Sequence, residues 1–184
     1  LRHTVLEIWE RFHPGCIFII PTPVSDVLNA DIQSVVSGLR RQGIPVVGIR
    51  SELFSHRDKN YTRNRLHQIA QQKITGDNRL EMELKGCGST ETLCALVEQV
   101  MEPQAMIPHS VNIETVGWGS EGRLVLREME IFLSRCGIRV NTWIPRAPIQ
   151  DLKAAPAAQL NLVKRVRWAR QMKARFGTDH LHLG

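Results

Sequence analysis

The residues Gly117-Trp118-Gly119-Ser120-Glu121-Gly122 form a G-x-G-x-x-G run between an apolar, β-prone stretch and a helical one. In that setting glycines permit a tight turn and close backbone approach, and the following helix start aims N–H groups at an anion. A dinucleotide site also needs an acid at the end of the next strand to bind the ribose. Trp143-Ile144-Pro145-Arg146 stands there instead. Arg146 would suit a ribose 2′-phosphate, so NADP is the form that this reading takes, against a structural glycine turn or another anion site. The four cysteines offer little else. Cys87 and Cys94 lack zinc spacing, while Cys16 in an apolar strand and Cys136 on an apolar helix face are expected to be buried thiols. His180 and His182 alternate onto one strand face without a third ligand, and no metal site is expected. There is no nucleophile elbow, Walker A lysine or H-E-x-x-H helix.

Charge is concentrated rather than spread. Of a formal net charge of +6, all is supplied by Lys164, Arg165, Arg167, Arg170, Lys173 and Arg175, a stretch without an acid. Such a helix would suit an acidic partner, a nucleic acid or an anionic cofactor. The competing reading is a solvated helix face. Aromatic interleaving is confined to Trp168 and Phe176, which fit a buried face, so nucleic acid is not the expected partner.

The elements that must position these residues follow from apolar spacing. At 184 residues with 42% hydrophobic and 23% charged side chains, the chain has material for one globular core, not for wholesale disorder. No apolar run is long enough to cross a bilayer, and no secretory leader opens the chain. A membrane is therefore not expected as a partner, and the absence of a disulfide framework points to a reducing, cytoplasmic setting. Val5, Ile8, Trp9 and Phe12 predict an amphipathic helix facing a core. Cys16 to Ile20 reads as a buried strand, Ile32 to Leu39 as a helix stopped by Gly43, and Ile44 to Ile49 as the next strand, together a βαβ unit. Residues 50–88 are ambiguous. Beyond them come a helix through Leu93 and Val97, then a connector at 102–110 bracketed by Pro103 and Pro108, a possible subdomain boundary. Strands near Val111, Ile138 and Leu160 follow, with a helix whose apolar face is Val125, Met129, Phe132, Leu133 and Cys136, another through Trp168 and Met172, and a last short strand at His180. The expected fold is α/β, a Rossmann-like three-layer sandwich with a mostly parallel sheet and helices on both faces. Residues 1–184 are expected to be one α/β segment, and an opening helix at Leu1 suggests an interior portion of a longer subunit.

Several stretches, in order, resemble nitrogenase component 1, the superfamily that includes the molybdenum–iron protein and dark-operative protochlorophyllide reductase. CIFIIPTPVSDVLNADIQSVV (16–36) is similar to that family's strand, Thr-Cys turn and helix start, and Ile44-Pro45-Val46-Val47 follows at the expected distance. Val111-Asn112-Ile113 resembles its "VNI" strand. Gly137-Ile138-Arg139-Val140, Ala155-Pro156 and Leu160-Asn161-Leu162-Val163 resemble its "Gly-Ile-x-Val … Ala-Pro-x-Ala-x-Leu-Asn-Leu-Val" pattern. The resemblance implies an oxidoreductase subunit serving electron transfer to a reducible substrate. It also implies an iron–sulfur cluster in the full-length complex, a homologous or identical partner subunit, and an ATP-dependent iron–sulfur reductase.

Two positions depart from that pattern. Thr22 is followed by Pro23 where the family commonly places a cluster-ligating Cys, and Arg165 stands where catalytic subunits carry a cofactor-binding Cys. Thiolates are the expected cluster ligands, so no cofactor is expected in this segment alone. A non-catalytic assembly or scaffold subunit of the same fold is the first alternative, and an NADP-binding Rossmann domain the second. In a parallel sheet the turns after Ile20, Val116 and Val163 would open to one side. Thr22, Gly117, Gly119, Ser120 and Arg165 are thus the candidate cofactor-binding residues, with helix N–H groups and a guanidinium disposed for an anion.

Overall fold

The computed structural model describes residues 1–21, 31–49, 88–115 and 122–183. The chain divides into two units, Leu1–Ala95 and Leu96–Gly184. In the first, helix α1 (Arg2–Phe12) leads to strand β1 (Ile17–Ile19), and helix α2 (Ile32–Arg41) to strand β2 (Val46–Gly48). β1 and β2 pair in parallel, Ile17 with Val46 and Ile19 with Gly48, as a βαβ unit requires. Val5, Ile19, Val36, Leu39, Ile44 and Val46 form the core, with Leu6, Trp9, Ile17, Ile32 and Val35 packed on it.

Local chemistry sets the ends of these helices. His13 takes the left-handed conformation at φ 42° and its N–H caps Trp9, closing α1. At the start of α2, the Asp31 carboxylate accepts from the Ser34 N–H at 3.0 Å. Hydrogen bonding by Ser34 holds the Asp31 carboxyl below its ordinary value of 3.8. Gly43, at φ 81°, ends the helix where the sequence places its stop. The face of α1 differs from the spacing rule: Val5, Leu6 and Trp9 meet the core, while Ile8 and Phe12 are exposed. Phe12 sits in the last turn under the Arg11 guanidinium, 5.2 Å from its ring centre.

Helix α3 (Gly88–Gln99) carries the division between the units and buries Leu93, Leu96 and Val97. The second unit continues with β3 (Ile107–Glu114), α4 (Gly122–Arg135), β4 (Arg139–Ile144), the short α5 (Ile149–Lys153) and a 3₁₀ turn (Ala155–Ala157). It closes with β5 (Ala158–Val163), α6 (Val166–Phe176) and β6 (Asp179–His182). These strands make one sheet in the order β4-β3-β5-β6, every pair parallel. The fold is α/β and Rossmann-like, with its described strands divided between two parallel sheets. The connector at 102–110 lies within the second unit and runs into β3. Pro108 lacks an N–H and His109 sits at φ 54°, so the pairing of β3 with β5 is regular only from Val111 onward. α4 ends before Gly137 at φ 74° and α6 before Gly177 at φ 81°.

The apolar face assigned to α4 is only half covered: Met129 and Leu133 are partly buried, while Val125, Phe132 and Cys136 are exposed. Cys136 is therefore not the buried thiol that its spacing suggests, because it follows the last helical turn beside Gly137. Cys16 is half-buried and Cys94 is buried. Residues 50–87 and the Cys87 thiol lie outside the described residues.

Two glycines test the packing of the first unit. A Cβ at Gly48 would stand 2.9 Å from Val36 Cγ2, a branched core side chain with little room to turn, whereas one at Gly38, inside α2, meets nothing within 4 Å. Gly48→Ala is expected to destabilise the fold by about 1–3 kcal/mol, and Gly38→Ala to stabilise it by roughly 0.5–1 kcal/mol, both read by urea unfolding.

The Asp31 cap carries a pH signature. Its carboxyl is lowered in the folded state, so its contribution is present above the ordinary value of 3.8 and disappears as pH falls through the lower folded value. Asp31→Ala should melt below the wild type at neutral pH, and the two melting curves should converge at acid pH.

Candidate functional site

In the second unit the chain leaves β3 toward β4 and leaves β5 toward β6, on opposite sides. The strand order thus reverses between β3 and β5, and right-handed crossovers put α4 and α6 on opposite faces. The crevice beyond the carboxyl ends of these two strands is the usual ligand position in such sheets. Glu114, the last residue of β3, points into it with its side chain fully buried. Its Oε2 accepts from the Lys164 N–H at 3.0 Å, the Arg165 N–H at 2.9 Å and the Trp168 indole Nε1–H at 3.0 Å. Its Oε1 accepts from Arg165 Nη1 at 2.7 Å. Arg165 is the N-cap of α6, so the carboxylate also lies where the helix dipole favours negative charge.

The face of β3 that carries Glu114 is polar along its length. Ser110, Asn112 and Glu114 alternate with Val111 and Ile113, and all five are buried. Asn112 Nδ2 donates to Asn161 Oδ1 and to the Ala155 carbonyl, both at 2.8 Å. Asn141 Nδ2 donates to Asn112 Oδ1 at 2.9 Å, and Asn161 Nδ2 to the Asp179 carbonyl at 3.2 Å. The register shift opposite Val111 and Asn112 makes Asn141 an extra residue of β4, which lets its amide reach Asn112. An amide ladder therefore crosses all four strands, two residues below Glu114. Ser110 Oγ donates to the Ile107 carbonyl and accepts from the Gln159 N–H, completing the row.

Much of the basic stretch is engaged within this unit. Arg165 pairs with Glu114, and Lys173 with Asp179. Arg175 Nη1 donates to the Val97 and Glu98 carbonyls at the last turn of α3, a helix end that favours a cation. The Lys173 ammonium holds the Asp179 carboxyl below its ordinary value. Trp168, Ala169 and Met172 face the core, leaving the lysines and arginines to border it.

Of the residues that the sequence proposes for a site, Thr22, Gly117, Gly119 and Ser120 lie outside the described residues. Arg165 is placed at the crevice, with its guanidinium on Glu114. Strand β4 ends at Ile144, and no acid follows to hold a ribose. Glu114 was not singled out by sequence spacing, although the alternation of Ser110, Asn112 and Glu114 in a strand covered on both faces is the signal that points to it.

The fold and crevice define a doubly wound α/β protein. The family model for nitrogenase component 1 type oxidoreductases matches residues 1–184, and the chain belongs to that family. Among solved structures it is similar to one described as "Nitrogenase Cp1 at pH 5", with 19% identity and a TM-score of 0.67 over 98% of this chain and 32% of that one. A second, "Nitrogenase Cp1 at pH 6.5", gives 19% identity and a TM-score of 0.66 over 98% and 31%. This chain thus spans about a third of the length of these structures. Nothing among the curated proteins matches.

The fit of an iron–sulfur cluster can be tested at Arg165. Clusters need thiolate or comparable electron-pair donors. Here the groups at the strand ends are two backbone N–H, an indole N–H and a guanidinium, all directed at a carboxylate. They do not fit a cluster. Among the described residues no group of three or more His, Cys, Asp or Glu side chains could hold a metal ion, and no helix is long and apolar enough to cross a membrane.

The amide ladder should show strong coupling. Asn112→Leu leaves the Asn161 Oδ1 and the Asn141 amide short of a partner, at about 1–3 kcal/mol for each that stays buried and unpaired, while the Ala155 carbonyl keeps the Ala158 N–H. Because Asn161→Leu removes one of those orphaned atoms, the double variant is expected to lose clearly less stability than the two single losses added. A double-mutant cycle by chemical unfolding measures this.

Proposed function

We propose that this chain is part of a nitrogenase component 1-like oxidoreductase subunit, which passes electrons to a reducible substrate within an iron–sulfur complex. The observation that carries the reading is the family match across the whole chain. The parallel sheets and the likeness to the two nitrogenase structures are consistent with it. On this reading the subunit works in the cytoplasm beside a homologous or identical subunit and receives electrons from an ATP-dependent iron–sulfur reductase. Any cluster ligands come from residues other than Arg165. What this chain's own residues supply at the strand ends is order: Glu114 fixes the start of α6 against β3, and the amide ladder fixes the strand register beneath it.

One observation favours a second reading, a non-catalytic subunit of the same fold. The position where catalytic subunits carry a cofactor-binding Cys is occupied by an arginine ion-paired with a buried carboxylate.

The two readings separate in an anaerobic purification of the full-length subunit with its partners. The first expects stoichiometric iron and acid-labile sulfide, and visible absorption that bleaches with reductase and MgATP but not with reductase alone. An assembled complex without iron or sulfide supports the second. A subunit with neither iron nor a family partner overturns both.

A further inference from the structure

We propose that Glu114 is an internal ligand filling the anion seat at the carboxyl ends of β3 and β5, so that the crevice is locked from within and closed to external anions. Two backbone N–H groups, an indole N–H and a guanidinium converge on one point between 2.7 and 3.0 Å from the carboxylate oxygens. Donors converging this way at a helix start in a switch-point crevice are what a phosphate or another oxyanion would require. All four are met by a residue of the same chain, anchored on the central strand β3. Oε2 accepts three of the four bonds and Oε1 the fourth, from Arg165 Nη1, so each of the four donor atoms aimed at this point is met and an incoming anion faces a buried negative charge. The site therefore belongs to the class of carboxylate receptors, and its carboxylate is built in.

The lock joins elements that are distant in sequence. Glu114 lies fifty or more residues before Lys164, Arg165 and Trp168, so the pair ties the end of β3 to the turn after β5 and the first turn of α6. The inference does not depend on whether the longer subunit carries a cluster elsewhere, and its test reads anion binding and melting, not redox activity.

Replacing Glu114 by Ala removes Cγ, Cδ and both oxygens, which together have the shape of acetate. In the full chain, Glu114→Ala is expected to lower the melting temperature by roughly 5–10 °C, the size of effect expected when a buried charge loses its partner. Acetate, titrated at constant ionic strength, should restore part of that loss in a saturable way, and chloride should not. Arg165→Met in the same background should weaken the rescue. The wild type should show no saturable shift with acetate or inorganic phosphate. Glu114→Gln keeps the size but turns an amide N–H₂ toward the donors, so it should melt well below wild type and gain nothing from acetate. The proposal is overturned if Glu114→Gln melts with the wild type, if acetate fails to rescue a folded Glu114→Ala, or if the wild type binds phosphate saturably and loses it with Arg165→Met. Should Glu114→Ala not fold, the Gln variant and the wild-type phosphate titration decide.

Discussion

A carboxylate withdrawn from water must be given back the hydrogen bonds that water supplied, and the second unit is arranged around that requirement at Glu114. Removing an ion from solvent costs on the order of several kcal/mol even after relaxation. Only a dense set of charge-assisted bonds offsets it. Four such bonds reach Glu114, from Lys164 in the turn after β5 and from Arg165 and Trp168 at the start of α6. The geometry of α6 follows from this. Its first turn has to lie over the end of β3, and Trp168 has to be buried with its indole N–H facing the sheet, one helical turn beyond Arg165. The fully buried Trp168, Ala169 and Met172 then continue the same face down the helix.

The same logic extends along β3. A central strand of a parallel sheet is covered on both faces, so polar residues on one of them find partners inside the protein or destabilise it. Asn112 is answered by Asn141, Asn161 and the Ala155 carbonyl, and Ser110 by the Ile107 carbonyl and the Gln159 N–H. Apart from the Ile107 carbonyl, which belongs to β3 itself, each partner lies on a neighbouring strand or connection in a fixed register. A slip by one residue would turn every one of these groups to the wrong face. The polar row therefore specifies which strands are neighbours and how they are aligned, which apolar packing alone does loosely. The bulge that admits Asn141 serves the same end.

Much of this fold was legible from spacing. Strands near Cys16, Ile44, Val111, Ile138 and Leu160, and the glycine stops at Gly43, Gly137 and Gly177, stand where apolar runs and positive-φ chemistry place them. The amphipathic faces were read less well. Ile8 and Phe12 are exposed on α1, as are Val125 and Phe132 on α4, because helical spacing identifies a stripe but not how much of it a neighbouring layer covers. The site was legible only in part. Arg165 was found through a family pattern, yet its partner was missed, since a pair so far apart in sequence leaves no local period. The basic stretch left an anionic partner and a solvated helix face as competing readings, because charge counts do not reveal that Arg165, Lys173 and Arg175 have partners within the unit.

The family and the site thus speak to different levels. Membership rests on a match over the whole chain and on an α/β scaffold, and a scaffold of this kind holds its order through strand register and core packing. Chemistry rests on which donors stand at the strand ends. A thiolate at position 165 would offer an electron pair to a metal. A guanidinium offers only N–H donors and demands an anion in return. With an arginine there, a negative charge in the crevice meets its N–H donors, and Glu114 at the end of the adjacent strand supplies that charge. Glu114 and Arg165 therefore act as one unit: without the arginine the fully buried carboxylate would lose its charged partner, and together they tie the end of β3 to the start of α6.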